Sequence, residues 1–301
     1  MSFVKKLKQF WDWGRIYNNA KFLIKYDLME EKYKIKDETI EDCIYEFEEQ
    51  KKLLVFLNVL DETETVDLLA REPKSFARYG DGEVDVMKGK SVPFQNYDAD
   101  LAYKMKEQLI RKRDDLYIGL NSSYFQSPIK YSERNRKFYR LYGTPLRRYF
   151  NEICDKDNVY LDACCFCGYF RQGDSFDLDN HFKKVKALFK DKPIAIVCGE
   201  GILDKLEYDL FEYCSDKIVI DAPKRNAFEK YDSIIAEIVR KVPKDYLVCA
   251  ILGMTATVLV GDLAKEGYIA WDIGHAPQDY DAYMQNVEKT DAVIDKFYSP
   301  D

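Results

Sequence analysis

Arg78-Tyr79-Gly80-Asp81-Gly82-Glu83 ends an apolar run and sets two carboxylates on either side of a glycine. Asp81 and Glu83 are hard oxygen donors of the kind that hold Mg²⁺ or Mn²⁺, and Gly80 and Gly82 let backbone approach a ligand closely. The same residues also suit an ordinary acidic turn after a strand. Repetition along the chain separates the two readings, because other apolar runs end the same way. Gly199-Glu200-Gly201 follows 194–198, and Ala222-Pro223-Lys224-Arg225-Asn226-Ala227 follows 217–221. Gly253-Met254-Thr255-Ala256-Thr257 and Asp272-Ile273-Gly274-His275 close two more runs. Glycine loops that open onto helices offer unpaired N–H groups and a positive dipole end, which suit a diphosphate. Single residues keep a structural alternative: Thr255 as a helix N-cap, Lys224 and Arg225 as surface charges after a turn. His275 is read as a phosphate contact or third metal ligand, against a satisfied structural imidazole.

The elements that must position these residues alternate. Strands are expected at 75–79, 116–120, 159–163, 194–198, 217–221, 246–252 and 268–272, mostly as continuous apolar runs of the kind a two-sided buried parallel sheet requires. Helices fall between them, clearest at 98–112, 132–153, 226–241 and 256–266. The pattern implies an α/β, Rossmann-like fold with a mostly parallel sheet and helices on both faces. In open sheets of this kind ligands bind beyond the carboxyl ends of the strands, where the polar segments would converge.

With 301 residues and 47% hydrophobic content, the chain can bury a sizeable core. A net charge of −7 argues against a nucleic-acid partner. The eight cysteines lack the spacing of a small disulfide framework, and Cys164-Cys165-Phe166-Cys167 reads as small buried residues of a strand-like segment rather than a zinc site. His181 and His275 are the two histidines, too few for a His-rich metal centre.

Residues 1–60 form a separate N-terminal extension, helical in character, before a domain spanning 61–301. Within residues 1–25, Phe10, Trp11 and Trp13 are interleaved with Lys5, Lys6, Lys8, Arg15, Lys21 and Lys25. Such a basic, aromatic stretch suits peripheral contact with an anionic membrane, or packing on its own fold or on a partner subunit of a homo-oligomer. Ile40, Ile44, Phe47, Leu53 and Leu57 give the stretch from Thr39 to Leu60 helical spacing. No signal peptide is visible, so a cytoplasmic protein, peripheral at the inner face of the membrane, is expected.

Taken together, the region from Ser75 to Tyr280 resembles the bacterial glycosyltransferases with the GT-D fold, which carry an Asp-any-Glu metal motif. The resemblance rests on Arg78-Tyr79-Gly80-Asp81-Gly82-Glu83, on Ala222-Pro223-Lys224-Arg225-Asn226-Ala227-Phe228, and on Thr255-Ala256-Thr257-Val258-Leu259. Asp262-Leu263, Gly267-Tyr268 and Asp272-Ile273-Gly274-His275 complete it. It implies transfer of a hexose from a UDP-sugar donor to a glycan acceptor, with Mn²⁺ or Mg²⁺ held at Asp81 and Glu83 and His275 as a third ligand. Arg78, Gly80, Gly199, Arg225, Asn226, Thr255 and Thr257 would then line the donor pocket, and Glu200 or Asp279 would supply the base. This chain departs from the family pattern at Gly199-Glu200-Gly201-Ile202-Leu203, where Gly-Glu-Lys-Ser-Arg is expected, and at Pro277, where an acidic residue is expected. An S-adenosylmethionine or nicotinamide enzyme using Val197-Cys198-Gly199-Glu200-Gly201 is the alternative, although Asp204 stands where the fingerprint wants a third glycine. A non-catalytic, membrane-attached assembly module is the other.

Overall fold

The protein is described as a computed structural model over residues 57–126 and 130–298. The basic, aromatic segment 1–25 lies outside the described residues, as does all but the end of the helix expected from Thr39 to Leu60.

Among the described residues eight strands form one sheet. They are β1 (Asn58–Val59), β2 (Ser75–Tyr79), β3 (Leu116–Leu120), β4 (Val159–Asp162), β5 (Pro193–Gly199), β6 (Asp216–Ala222), β7 (Leu247–Ile251) and β8 (Ile269–Asp272). The order is β1-β4-β3-β2-β8-β7-β5-β6, and each pairing is parallel. The seven expected strands are all present to within one or two residues, because most are apolar runs buried in the sheet, although the edge strand β6 leaves Lys217, Val219 and Asp221 exposed. Asn58–Val59 forms a strand where helix was expected. Leu57 and Val59 are buried while Asn58 is exposed, a period of two that decides against helix at this point.

Helices cover both faces. On one side lie α2 (Asp81–Met87), α3 (Ala99–Ile110), α4 (Glu133–Ile153), α6 (Tyr231–Lys241) and α7 (Met254–Lys265). Opposite them lie α1 (Glu62–Arg71), α5 (Leu178–Phe189), α8 (Ala276–Met284) and α9 (Asp291–Phe297). Side chains of β2 alternate between these layers: Phe76 packs with the second set, Ala77 and Tyr79 with the first. The helix expected over 226–241 starts late, because Asn226 adopts a left-handed conformation (φ 54°) and a 3₁₀ turn, Ala227–Lys230, precedes α6. Cys164 to Cys167 lie beyond the end of β4 in a turn closed by Cys167 N–H to Cys164 O, not in a strand.

From β2 the chain crosses toward β3 and β4, whereas from β5 it crosses to β6 at the opposite edge. The crevice therefore opens at the centre of the sheet, over the carboxyl ends of β2 and β8.

Candidate active site

The floor of this crevice is an ion pair. Arg78 Nη2 donates to Asp272 Oδ1 at 2.9 Å, and Nη1 donates to the Ala163 carbonyl at 2.8 Å, so one guanidinium ties β2 to β8 and to the end of β4. Burial is the largest influence and works against the Arg78 cation, but the Asp272 charge and hydrogen bond, together with the nearby Cys164 and Cys167 sulfurs, outweigh it and hold the arginine above its ordinary pKa. Burial likewise raises the Asp272 carboxyl, against the pull of Arg78. Gly274 donates its N–H to the same Asp272 oxygen at 3.1 Å. It must be glycine: its φ is +51°, and a Cβ there would lie 2.1 Å from Arg78 Nη2.

Asp81 and Glu83 occupy the first turn of α2, which sequence reading had not assigned as a helix. Gly80 is its extended N-cap, and Glu83 turns back to accept the Gly80 N–H at 2.7 Å. Burial pushes Glu83 up to about 7, against that hydrogen bond. Asp81 stays solvent-exposed at the mouth, although crowding by its surroundings and the nearby Asp85 raise its carboxyl. Gly82 lets α2 meet α7, since a Cβ there would come 2.7 Å from Met254 Cε.

The threonines expected in the donor pocket serve the scaffold. Gly253, not Thr255, is the N-cap of α7. Thr255 Oγ1 donates to Gln95 Oε1 at 3.3 Å, and Thr257 Oγ1 donates to the Arg78 carbonyl at 3.2 Å, both residues being fully buried. Asn226 instead straps down the loop before α3: its Oδ1 accepts the Asn96 N–H at 2.8 Å and its own N–H reaches the Phe94 carbonyl at 2.9 Å. The sequence analysis assigns this loop no role, because its contact with Asn226 joins residues 130 positions apart.

Gly199 is buried against β6, where a Cβ would come 2.8 Å from Lys224 Cγ. Glu200, Lys224 and Arg225 are exposed on the rim there. Three strand spacings, about 14 Å, separate β2 from β5. That places Glu200 at the far end of the crevice from Asp81 and not beside the reacting centre. The loop after Gly199 leads into a 3₁₀ turn, Leu203–Lys205, rather than a helix N-terminus, so it lacks the cradle of a dinucleotide fingerprint.

His275 sits at the N-cap of α8, and its ring packs against Phe94, Phe297 and Tyr298 at centroid distances of 5.9, 5.5 and 5.9 Å. Burial, with the Arg78 cation adding to it, lowers the imidazole to about 4, so it is neutral at physiological pH. It does not join Asp81 and Glu83 in a cage: among the described residues no group of three His, Cys, Asp or Glu side chains is arranged to hold a metal ion. Asp279, expected as a base, is 1% exposed and accepts the backbone N–H groups of Gly168 at 2.6 Å, Tyr169 at 2.9 Å and Phe170 at 3.5 Å. It fixes a turn.

Beyond β3 and β4 lies a buried polar network that the sequence did not signal. Arg171, 3% exposed, donates to Asp162 Oδ2 at 3.0 Å, to Asn121 Oδ1 at 2.7 Å and to the Tyr139 hydroxyl at 2.8 Å. Glu62 lies 3.6 Å from Arg171 and accepts from Lys130 at 2.5 Å.

Comparison with known proteins matches this architecture. Residues 76–300 fit the family model for the glycosyltransferase GT-D fold. The chain is 31% identical over 228 residues to a probable glycosyl transferase, Gly, of Streptococcus gordonii, covering 76% of this chain and 33% of that protein. It is 27% identical over 241 residues to the glycosyltransferase GlyD of Streptococcus pneumoniae serotype 4, covering 80% of this chain and 29% of that one. It thus spans about a third of the length of the curated relatives it matches. Among solved structures, a glycosyltransferase from Streptococcus sanguinis superposes with a TM-score of 0.71 at 29% identity, covering 76% of this chain and 85% of that one. A domain described as having a distinct glycosyltransferase fold superposes with a TM-score of 0.73 at 30% identity, covering 80% and 86%. The chain belongs to the family of glycosyltransferases with the GT-D fold.

Proposed function

We propose that the protein transfers a hexose from a UDP-sugar to a hydroxyl of a glycan acceptor. The observation that carries this reading is the meeting of Asp81 and Glu83 with Asp272 to His275 at the adjacent carboxyl ends of β2 and β8, above the Arg78–Asp272 pair. The crevice running from there to Arg225, beyond β6, spans three strand spacings from β8 and four from β2, about 14–19 Å, room for an extended nucleoside diphosphate.

The donor set fits a Mn²⁺ or Mg²⁺ ion shared between protein and substrate rather than enclosed by protein. Asp81 is exposed, Glu83 is turned onto Gly80, and Asp272 is committed to Arg78. Asp81 would hold the ion together with donor phosphate oxygens, as suits a cation bound through one or two carboxylates. The ion would supply charge neutralisation for the departing diphosphate.

In the transfer, a lone pair of the acceptor oxygen forms the new bond to the anomeric carbon. The bond from that carbon to the β-phosphate oxygen breaks, its electron pair leaving with UDP, and the acceptor proton passes to a carboxylate. Glu83, brought to about 7 by burial, has the basicity that suits this role near neutrality. Arg225, on the β6 rim, faces the nucleotide end.

UDP titration and turnover separate the roles. Asp81→Asn should abolish the Mn²⁺ dependence of UDP affinity, whereas Glu83→Gln should keep UDP affinity in Mn²⁺ and lose UDP release from UDP-sugars. Full turnover by either variant, or by the wild-type protein in excess chelator, would overturn the reading.

A further inference from the structure

The amino edge of the sheet, opposite the crevice, holds a basic cavity that the proposed transfer does not use. It measures about 170 Å³ and lies among the first residues of β3 and β4 and the turn that leads from α3 to β3. Part of its lining is apolar, including Val159, which is 50% exposed at the start of β4. The charged part is cationic: Lys74, Arg111, Lys112 and Arg113 line it against one carboxylate, Asp114. Two of these cations are committed, Lys74 to Glu72 at 2.7 Å and Arg113 to Asp115 at 2.9 Å and to the Gly261 carbonyl at 2.8 Å. Arg111 and Lys112 are exposed, and their side chains form no ion pair among the described residues. Two adjacent cations beside exposed apolar surface suit a partner that is acidic and partly apolar.

The chain itself supplies such a partner close by. Strand β1 pairs with β4 through Asn58 and Val159, so the chain enters the sheet one strand spacing from a residue that lines the cavity. Residues 37–49, which lie outside the described residues, carry seven carboxylates and no lysine or arginine, with Ile40, Ile44 and Phe47 interspersed. Residues 50–56 join this stretch to Leu57 and reach at most about 25 Å. The cavity lies within two strand spacings of β1, about 10 Å. We infer that residues 37–49 dock on this cavity, with carboxylates on Arg111 and Lys112 and apolar positions against Val159. So short a tether holds the effective concentration on the order of millimolar, and exposed ion pairs too weak to join separate molecules are then enough. Because every strand pairing is parallel, docking at the amino edge leaves the crevice at the carboxyl ends uncovered.

The test uses the full chain. A zero-length carbodiimide crosslinker joins a carboxylate only to an amine in contact with it. At low salt it should link acidic residues of 37–49 to Lys112 or Lys74, read by peptide mass spectrometry, and the links should fade at high salt. Mixing isotope-labelled with unlabelled chains should show the links to lie within one chain. In the double variant Arg111→Glu, Lys112→Glu, amide hydrogen exchange over 37–49 should quicken on the order of 10-fold, since two attractions become repulsions. Absence of those crosslinks would overturn the inference, as would exchange over 37–49 that the double variant leaves unchanged. Links formed solely between labelled and unlabelled chains would give the cavity to a second copy of the protein, and links from 37–49 solely to lysines of residues 1–36 would give the acidic stretch to the basic N-terminus. Either result would also overturn it.

Discussion

Arg78 and Asp272 stand 194 residues apart in sequence, and their 2.9 Å ion pair is the contact on which the crevice is built. The pair is largely shielded from water, so truncating one partner strands the other charge. Asp272→Asn should destabilise the fold by about 3–5 kcal/mol, read as a lower urea midpoint, with the double variant Arg78→Met, Asp272→Leu recovering much of the loss. A midpoint within error of wild type for Asp272→Asn would show the pair to be dispensable.

Gly274→Ala forces a side chain into left-handed backbone and against the Arg78 guanidinium. The backbone term alone costs about 1 kcal/mol, and displacing Arg78 should also lower turnover. Wild-type stability together with wild-type turnover would contradict the close approach.

His181 is 5% exposed, and burial lowers its imidazole from 6.5 to about 4. The unfolded chain then binds the proton more readily than the folded one between those values. Stability is full above pH 6.5 and falls as pH drops toward 4, by up to about 3 kcal/mol for complete titration. His181→Gln should flatten the acid limb of the stability profile. An unchanged profile would place the acid sensitivity elsewhere.

Arg225→Ala should weaken UDP binding by about 1.5–3 kcal/mol, as expected for loss of a charge-assisted contact. Calorimetry in Mn²⁺ measures this, and unchanged affinity would put Arg225 outside the nucleotide end.

Residues 1–25 bear on location. Each basic side chain near an anionic bilayer contributes about 1 kcal/mol, so the intact protein should sediment with phosphatidylserine vesicles at low salt and release at high salt. Deleting the segment should abolish this. Equal binding by the truncated protein would favour packing of the segment on protein instead.

The strand positions and the polar segments at their carboxyl ends were legible in the sequence, because a buried parallel strand is a local signal: a short run such as 194–198 must be apolar on both faces. Asp81 and Glu83 stood out for the same reason, as an abrupt change of chemistry at the end of such a run. What each site residue touches was decided only by tertiary structure. Thr255 and Thr257 look like ligand contacts until sheet order brings Gln95 and the Arg78 carbonyl to their hydroxyls. Asp279 looks like a base until the 168–170 turn presents its N–H groups to it. His275 looks like a metal ligand until α9 carries Phe297 against its ring. Periodicity is written along a few residues, whereas a partner more than a hundred residues away is fixed only by which strands become neighbours.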